Sequence, residues 1–263
     1  MTDLSPPAML LRTAERGVLT LTLNRPNARN ALSMGLMSAL IDALREAATD
    51  TTVHVVVIAG AGPAFCSGHD LKELRANPSR ATYQATFARC SELMTALVRL
   101  PKPVIARVHG IATAAGCQLV ASCDLAIASN EARFATPGVN IGLFCSTPMV
   151  AVSRAVGRKA TMEMLLTGDM VDADKAMRIG LINRVASPER LDAAVAELAD
   201  AIASKSPLVL KIGKEAFYRQ AELPLDEAYA YASEVMTTNM LAADAAEGID
   251  AFLEKRDPTW RGC

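Results

Sequence analysis

The hydrophobic period of this chain changes near residue 147, and that change does most to restrict its fold. Before it, strand and helix patterns mix. Val18-Leu19-Thr20-Leu21-Thr22-Leu23 has the two-residue period of a half-buried strand. His54 to Ala59 and Pro103 to Val108 read as further strands, the first a β-branched buried run, and Leu125 to Ala128 reads as another. Ser33 is a candidate helix N-cap, followed by Met34, Met37, Leu40, Ile41 and Leu44 on one helical face. Residues 65–80 read as loop with a short helical piece from Leu71 to Leu74, 82–99 as helix, and Cys117 to Ser122 as a buried helix. Beyond 147 the pattern predicts helices over 148–156, 159–167, 173–179, 189–204, 207–221 and 225–255. Gly157, Gly168 and Gly180 stand where helix C-caps belong. The fold class is therefore α/β with a helical C-terminal part. A strand-strand-helix rhythm recurs without a convincing sequence repeat.

Charge narrows the partners. Lys and Arg number 27 against 28 Asp and Glu, a balance that argues against a nucleic-acid or anionic-membrane surface. No apolar run approaches the roughly 20 residues that span a bilayer. Met1 to Gly17 lacks a basic region followed by an apolar one, so no secretory leader is expected, and the chain reads as cytoplasmic with reduced thiols. The six cysteines (Cys66, Cys90, Cys117, Cys123, Cys145 and Cys263) include no C-x-x-C pair and read as small buried hydrophobes. His54 and His109 are isolated, and no metal site is expected.

Three segments invite chemistry. Gly60-Ala61-Gly62-Pro63-Ala64-Phe65 starts like a dinucleotide fingerprint, but Phe65 replaces the third glycine and Pro63 removes a phosphate-binding N–H. Ser67-Gly68-His69-Asp70 holds the residue types of a hydrolytic triad, yet adjacency in sequence is not triad geometry and no G-x-S-x-G elbow exists. Gly110-Ile111-Ala112-Thr113-Ala114-Ala115-Gly116-Cys117-Gln118 is a run of small residues, suited either to close helix packing or to a backbone that approaches a ligand. A helix starting near Ala115 would turn unpaired N–H groups outward, where they can stabilise an oxyanion.

Taken together, these segments resemble the crotonase (enoyl-CoA hydratase/isomerase) superfamily. The matching residues are Asn24-Arg25-Pro26 with Asn30-Ala31-Leu32, Ala64 to Leu71, Pro103 to Gly110 with the small-residue run, Ala121 to Ala128 and Phe134 to Pro137. Leu166-Thr167-Gly168, Ala176 to Val185, Glu247-Gly248 and Phe252 to Arg256 complete the series, so the resemblance runs from about Val18 to Arg256. It implies a spiral of ββα units over residues 1–195. A C-terminal helical region, 196–263, would mediate trimer formation, giving a homotrimer or a dimer of trimers. It further implies an acyl-CoA thioester as ligand, with coenzyme A part of the substrate and no permanently bound cofactor.

By position, the resemblance makes the N–H groups of His69 and Ala115 the two oxyanion donors. Cys66, Ser67, Asp70 and Leu71 match the stretch that meets adenine. Arg29 and Ala31 match the pantetheine and phosphate path, and Phe252 and Lys255 match C-terminal residues that close the site. The family usually has glycines where this chain has Ala114 and Ala115, and alanine disfavours positive φ.

The resemblance breaks at the acid–base pair. An enoyl-CoA hydratase uses two glutamates to hold and deprotonate a water, and their positions here are Gln118 and Gly138. A glutamine hydrogen-bonds water but does not take its proton near neutral pH. Each such group contributes about 10²–10⁴-fold, so ordinary hydration should be very slow. Ser146 stands where other branches place an acid, and Asn140, Cys145, Ser146 and His69 are the nearest groups for other chemistry. The pattern resembles the enoyl-CoA hydratase domain-containing subgroup, which lacks both glutamates. Three readings stand: an acyl-CoA enzyme of lyase or isomerase type with another proton-transfer group, a noncatalytic acyl-CoA-binding or scaffolding protein, and a true enoyl-CoA hydratase of fatty-acid metabolism.

Overall fold

The computed structural model describes residues 8–263. The first seven residues of the N-terminal segment read above therefore lie outside the described residues. Chain order begins β1 (Leu10–Glu15), β2 (Val18–Leu23), α1 (Met34–Thr49), β3 (Val55–Gly60), β4 (Ala64–Cys66), α2 (Leu71–Ala76) and α3 (Arg80–Arg99). It continues with β5 (Val104–Val108), β6 (Ile111–Thr113), α4 (Ala115–Ser122), β7 (Leu125–Ser129) and β8 (Arg133–Ala135). Then follow α5 (Ser146–Ala155), α6 (Arg158–Thr167), β9 (Val171–Asp172), α7 (Ala173–Arg178), β10 (Arg184–Ala186) and α8 (Leu191–Ala203). The chain closes with α9 (Pro207–Gln220), α10 (Leu225–Met240) and α11 (Ala243–Glu254).

Successive strand pairs divide between two sheets. The first has order β1-β2-β3-β5-β7-β10 and the second β4-β6-β8-β9. The leading strands β3, β5 and β7 thus lie parallel in the large sheet, while their followers β4, β6 and β8 lie parallel in the small one. This is the spiral of ββα units that the resemblance implied. The β-branched runs are apolar throughout because both faces of the large sheet are covered. Val56, Ile58, Val104 and Ala106 enter the main core with α1, α3 and α4. Val55, Val57, Ile105 and Ile127 pack instead against Leu191, Val195 and Ala199 of α8.

Ser33 caps α1, its hydroxyl accepting the N–H of Leu36 at 3.2 Å. Gly168 takes the left-handed conformation at the end of α6, and Gly180 has φ +86° just past α7. Gly157 differs from expectation. It is the N-cap of α6 in extended backbone, while Val156 ends α5. The region past residue 147 also contains two short strands, β9 and β10, which pair at the edges of the two sheets.

The single helix expected over 225–255 is two. Ala242 adopts φ −70° and ψ 145°, and α11 starts after it. The break has a tertiary cause. The buried Asp244 carboxylate accepts from Ser206 Oγ at 2.5 Å and from the N–H groups of Arg261 and Gly262 at 2.7 and 3.0 Å.

One buried ion pair fastens the C-terminal helices to the core. Lys214 Nζ of α9 donates to Asp124 Oδ2 at 2.7 Å and to the carbonyls of Leu97 and Lys102 at 3.0 and 2.9 Å. Tyr218 donates to Asp124 Oδ1 at 2.8 Å, and the same carboxylate accepts the N–H of Val104.

Candidate active site

The first loop of the site follows β4. Gly68 has φ +98°, a conformation glycine adopts without steric cost. Leu32 pairs with His69 as a parallel bridge: the Leu32 N–H donates to Gly68 O at 2.7 Å, and the Asp70 N–H donates to Leu32 O at 3.2 Å. Such a bridge uses the neighbours of His69 and turns its own N–H to the opposite side. The chain from Arg25 to Leu32 fixes this loop. Ser67 N donates to Arg29 O at 3.0 Å, and Arg29 and Asn30 are both left-handed, with φ near +50°. Asn30 is fully buried. Its Oδ1 accepts Arg25 N at 2.8 Å, and its Nδ2 donates to the carbonyls of Ala61 and Ala64 at 2.8 and 2.7 Å. The sequence reading assigned Asn30 no role in the site. The signal available in sequence was an asparagine, which tolerates left-handed backbone, four residues after Pro26.

The second loop joins β6 to α4. Ala114 has φ +51° and ψ −118°, so the loop keeps a glycine-like backbone although a methyl group stands there. Its N–H donates to Ala135 O at 2.9 Å and its carbonyl accepts Gln118 N at 3.0 Å, and these bonds hold the conformation. Ala115 is the first residue of α4, so its N–H belongs to the unpaired, electropositive end of the helix.

The two loops touch. A Cβ placed on Gly68 would stand 3.0 Å from Ala114 Cβ and 3.4 Å from Ala115 N. Thr113 Oγ1 donates to Ser67 O at 3.2 Å across the same seam. A Cβ on Gly116 would fall 2.0 Å from Cys66 O, so only glycine lets α4 press its first turn onto β4. The structure thus brings the N–H-bearing segments of residues 69 and 115 side by side.

The two positions at which the resemblance expects glutamates, 118 and 138, are occupied differently. Gln118 is buried in α4 and its carbonyl lies 3.7 Å from Cys90 Sγ. Gly138 sits in a 3-10 turn, Pro137–Ile141, where a Cβ would stand 2.6 Å from Leu143 O and 2.9 Å from Cys145 Sγ. The Cys145 thiol and the Leu143 carbonyl therefore fill the space a side chain at 138 would enter. Burial raises the Cys145 thiol, which accepts the Gly138 N–H, and this keeps it protonated near neutral pH. Ser146 begins α5 at the surface and its hydroxyl donates to Phe144 O at 3.3 Å. Asn140 is exposed and stands against Gly168.

The remaining expected residues distribute as follows. Cys66 is buried and its thiol is pushed up to about 12 by desolvation. Asp70 caps α2, accepting the N–H groups of Lys72 and Glu73, and pairs with Arg25 at 2.8 Å. Burial works upward on its carboxyl, but Arg25 and these N–H groups together hold it below the usual range. Arg25 also donates to Ala31 O, so Ala31 and Asp70 share one guanidinium, while Arg29 O accepts the Ser67 N–H. Leu71 is half exposed at the start of α2. Phe252 is 82% exposed on α11, and Lys255 ends that helix with φ +56°. That helix packs on α9 and α10. Among the described residues, no three His, Cys, Asp or Glu side chains group to hold a metal ion.

Comparison with known proteins places the chain in a family and a fold. The family profile described as enoyl-CoA hydratase/isomerase matches residues 13–263. A rat protein named enoyl-CoA hydratase domain-containing protein 3, mitochondrial, is 45% identical over 97% of this chain and 85% of its own length. A solved enoyl-CoA hydratase from Mycobacterium smegmatis superposes with a TM-score of 0.94 at 56% identity, covering 96% of this chain and 99% of that one. The human enoyl-CoA hydratase domain-containing protein 3 does so with 0.94 at 43% identity, covering 96% and 100%. The rat protein's mitochondrial name overturns the cytoplasmic location expected from the first 17 residues. A test for a basic-then-apolar leader is blind to a mitochondrial address, which is an Arg- and Ser-rich amphipathic segment.

Proposed function

The chain belongs to the enoyl-CoA hydratase/isomerase family of crotonase fold, whose members act on CoA thioesters, and from that premise we propose how this member uses its site. It binds an acyl-CoA with the thioester oxygen between the N–H groups of His69 and Ala115. The two dipoles stabilise the negative charge that reaches that oxygen when an enolate forms. One such donor is typically worth roughly 3–4 kcal/mol, because the charge develops only in the transition state. The observation that carries this reading is the contact between the Gly68–His69 and Ala114–Ala115 segments. Cys66, Ser67, Asp70 and Leu71 border the adenine, and Arg29 and Ala31 the pantetheine path. Phe252 and Lys255 approach the site from the C-terminal region, residues 196–263. That region assembles the chain into a homotrimer or a dimer of trimers. The exposed Leu225, Tyr229, Met236, Leu241 and Leu253 on and beside α10 and α11 support such a buried contact.

Ordinary hydration is slow in this reading, because Gln118 is no base and the space at Gly138 is filled. Steady-state hydration of crotonyl-CoA, followed by loss of the conjugated-thioester absorbance, tests this. A robust rate would demand an acid–base pair elsewhere and would favour the true hydratase. Calorimetric titration with butyryl-CoA tests the binding step itself. Binding without turnover on any thioester would favour the noncatalytic acyl-CoA-binding or scaffolding reading, which rests on the same two missing carboxylates.

A further inference from the structure

His69 has an imidazole as well as an N–H, and the ring is in an anomalous state. Both ring nitrogens are closed to solvent and neither has a hydrogen-bond partner. Leaving a buried polar group unpaired is unfavourable. The other two histidines each hold one partner: His54 Nδ1 lies 3.2 Å from Ala203 O, and His109 Nε2 lies 2.8 Å from Gly62 O although its Nδ1 is buried and unpaired. A ring packed only for structure would be expected to find such a partner. The His69 ring packs edge-on with Phe87 of α3, centroids 5.4 Å apart. Phe87 is itself 39% exposed and borders an open groove with Arg80, Tyr83, Gln84 and Ser91, so it has room to turn aside.

The other candidate groups near the loops are engaged. Cys145 is a buried, protonated thiol on the Gly138 N–H, Ser146 donates to Phe144 O, and Gln118 cannot take a proton. Burial pushes the His69 imidazole down, so at neutral pH it is uncharged and keeps one basic nitrogen.

We propose that the His69 imidazole is the proton-transfer group of this site, taking the α-proton of the acyl-CoA whose thioester oxygen rests on the same residue's N–H. The inference builds on the oxyanion reading above. The thioester oxygen and the α-carbon are both bonded to the carbonyl carbon, and the ring and N–H of His69 are one side chain apart, so a single residue has the reach for both. In the step, the α C–H bond breaks and its electron pair forms the enolate C=C. The carbonyl π pair moves to the oxygen held by the N–H groups of His69 and Ala115, and the proton goes to the ring, making imidazolium. Reversal returns a proton from the ring, which exchanges with solvent. No oxidant, metal or second substrate enters.

The test is deuterium incorporation at C2 of butyryl-CoA in D2O, followed by NMR. His69→Gln keeps the N–H and loses the basic nitrogen. The expected result is exchange by the wild type, a loss of about 100-fold or more in His69→Gln, and butyryl-CoA affinity little changed in that variant. Equal exchange in His69→Gln, or wild-type binding without exchange, overturns the assignment while leaving the oxyanion reading intact. Failure of the wild type to bind butyryl-CoA overturns both. Should His69→Gln not fold, nitrogen-15 spectra of wild-type histidines decide the matter. The His69 ring resonances shift on adding butyryl-CoA if the ring meets the thioester, and stationary resonances refute it.

Discussion

Ala114→Gly should make the protein more stable, which reverses the usual sign for a glycine placed beside a helix. Ala114 holds φ +51° and ψ −118°, a region that suits glycine and costs other residues about 1–3 kcal/mol. Glycine relieves that cost but loosens the unfolded chain, which takes back about 0.4–1 kcal/mol. The Ala114 methyl would lie 3.0 Å from a Cβ at Gly68, so it points into the crowded seam and leaves no large void when removed. The net gain is about 1 kcal/mol. Ala121→Gly on the same helix is the control, because it has no positive φ to relieve and should lose about 0.5–1 kcal/mol. Urea unfolding at constant m-value reads both shifts as midpoints moving in opposite directions. A lower midpoint for Ala114→Gly would refute the claim that strain is stored at this residue.

In our reading, Gly138→Glu should not confer hydration. Its Cβ meets Leu143 O at 2.6 Å, so the variant loses about 1–3 kcal/mol or more in urea and gains no crotonyl-CoA turnover; a stable, active variant would show that the 142–146 loop yields readily. Lys214→Met leaves the Asp124 carboxylate short of its cation, and breaking a buried pair costs about 3–5 kcal/mol. A loss below about 1 kcal/mol would mean that water reaches the pair freely. The thiols give a pH dependence. Burial raises Cys66, Cys90 and Cys117 from 9.0 to about 12, so the unfolded chain gives up these protons first. Their contribution is complete below pH 9 and is lost as pH rises from there toward 12, so the urea midpoint should fall across that window. A thiol reagent at pH 8 should meanwhile modify Cys263 rapidly in the native protein and all six cysteines after unfolding.

The long elements were legible because their patterns are local. The apolar run at β3 and the cap-plus-period pattern of α1 each carry their own signal. The followers β4, β6 and β8 have three residues each and exist only by pairing with segments far along the chain. The break before α11 has no Pro or Gly to announce it, because Asp244 imposes it through bonds to Ser206, Arg261 and Gly262. The candidate site was legible only as a family motif in the residues around Gly68 and Ala115. What the motif did not convey is how space is used. Nothing local tells that Cys145 stands in front of Gly138, or that an alanine at 114 accepts a glycine's backbone.

Helix α4 gives the molecule a short strut. It is eight residues long, ~12 Å from end to end, too short to bend. One end is Ala115, which faces the thioester in our reading. Just past the other end is Asp124, which receives Lys214 and Tyr218 from α9. The reactive pole and the helices that leave the core are therefore opposite ends of one stiff piece. Whatever seats or unseats α9 therefore acts on the alignment of the Ala115 N–H through one stiff piece.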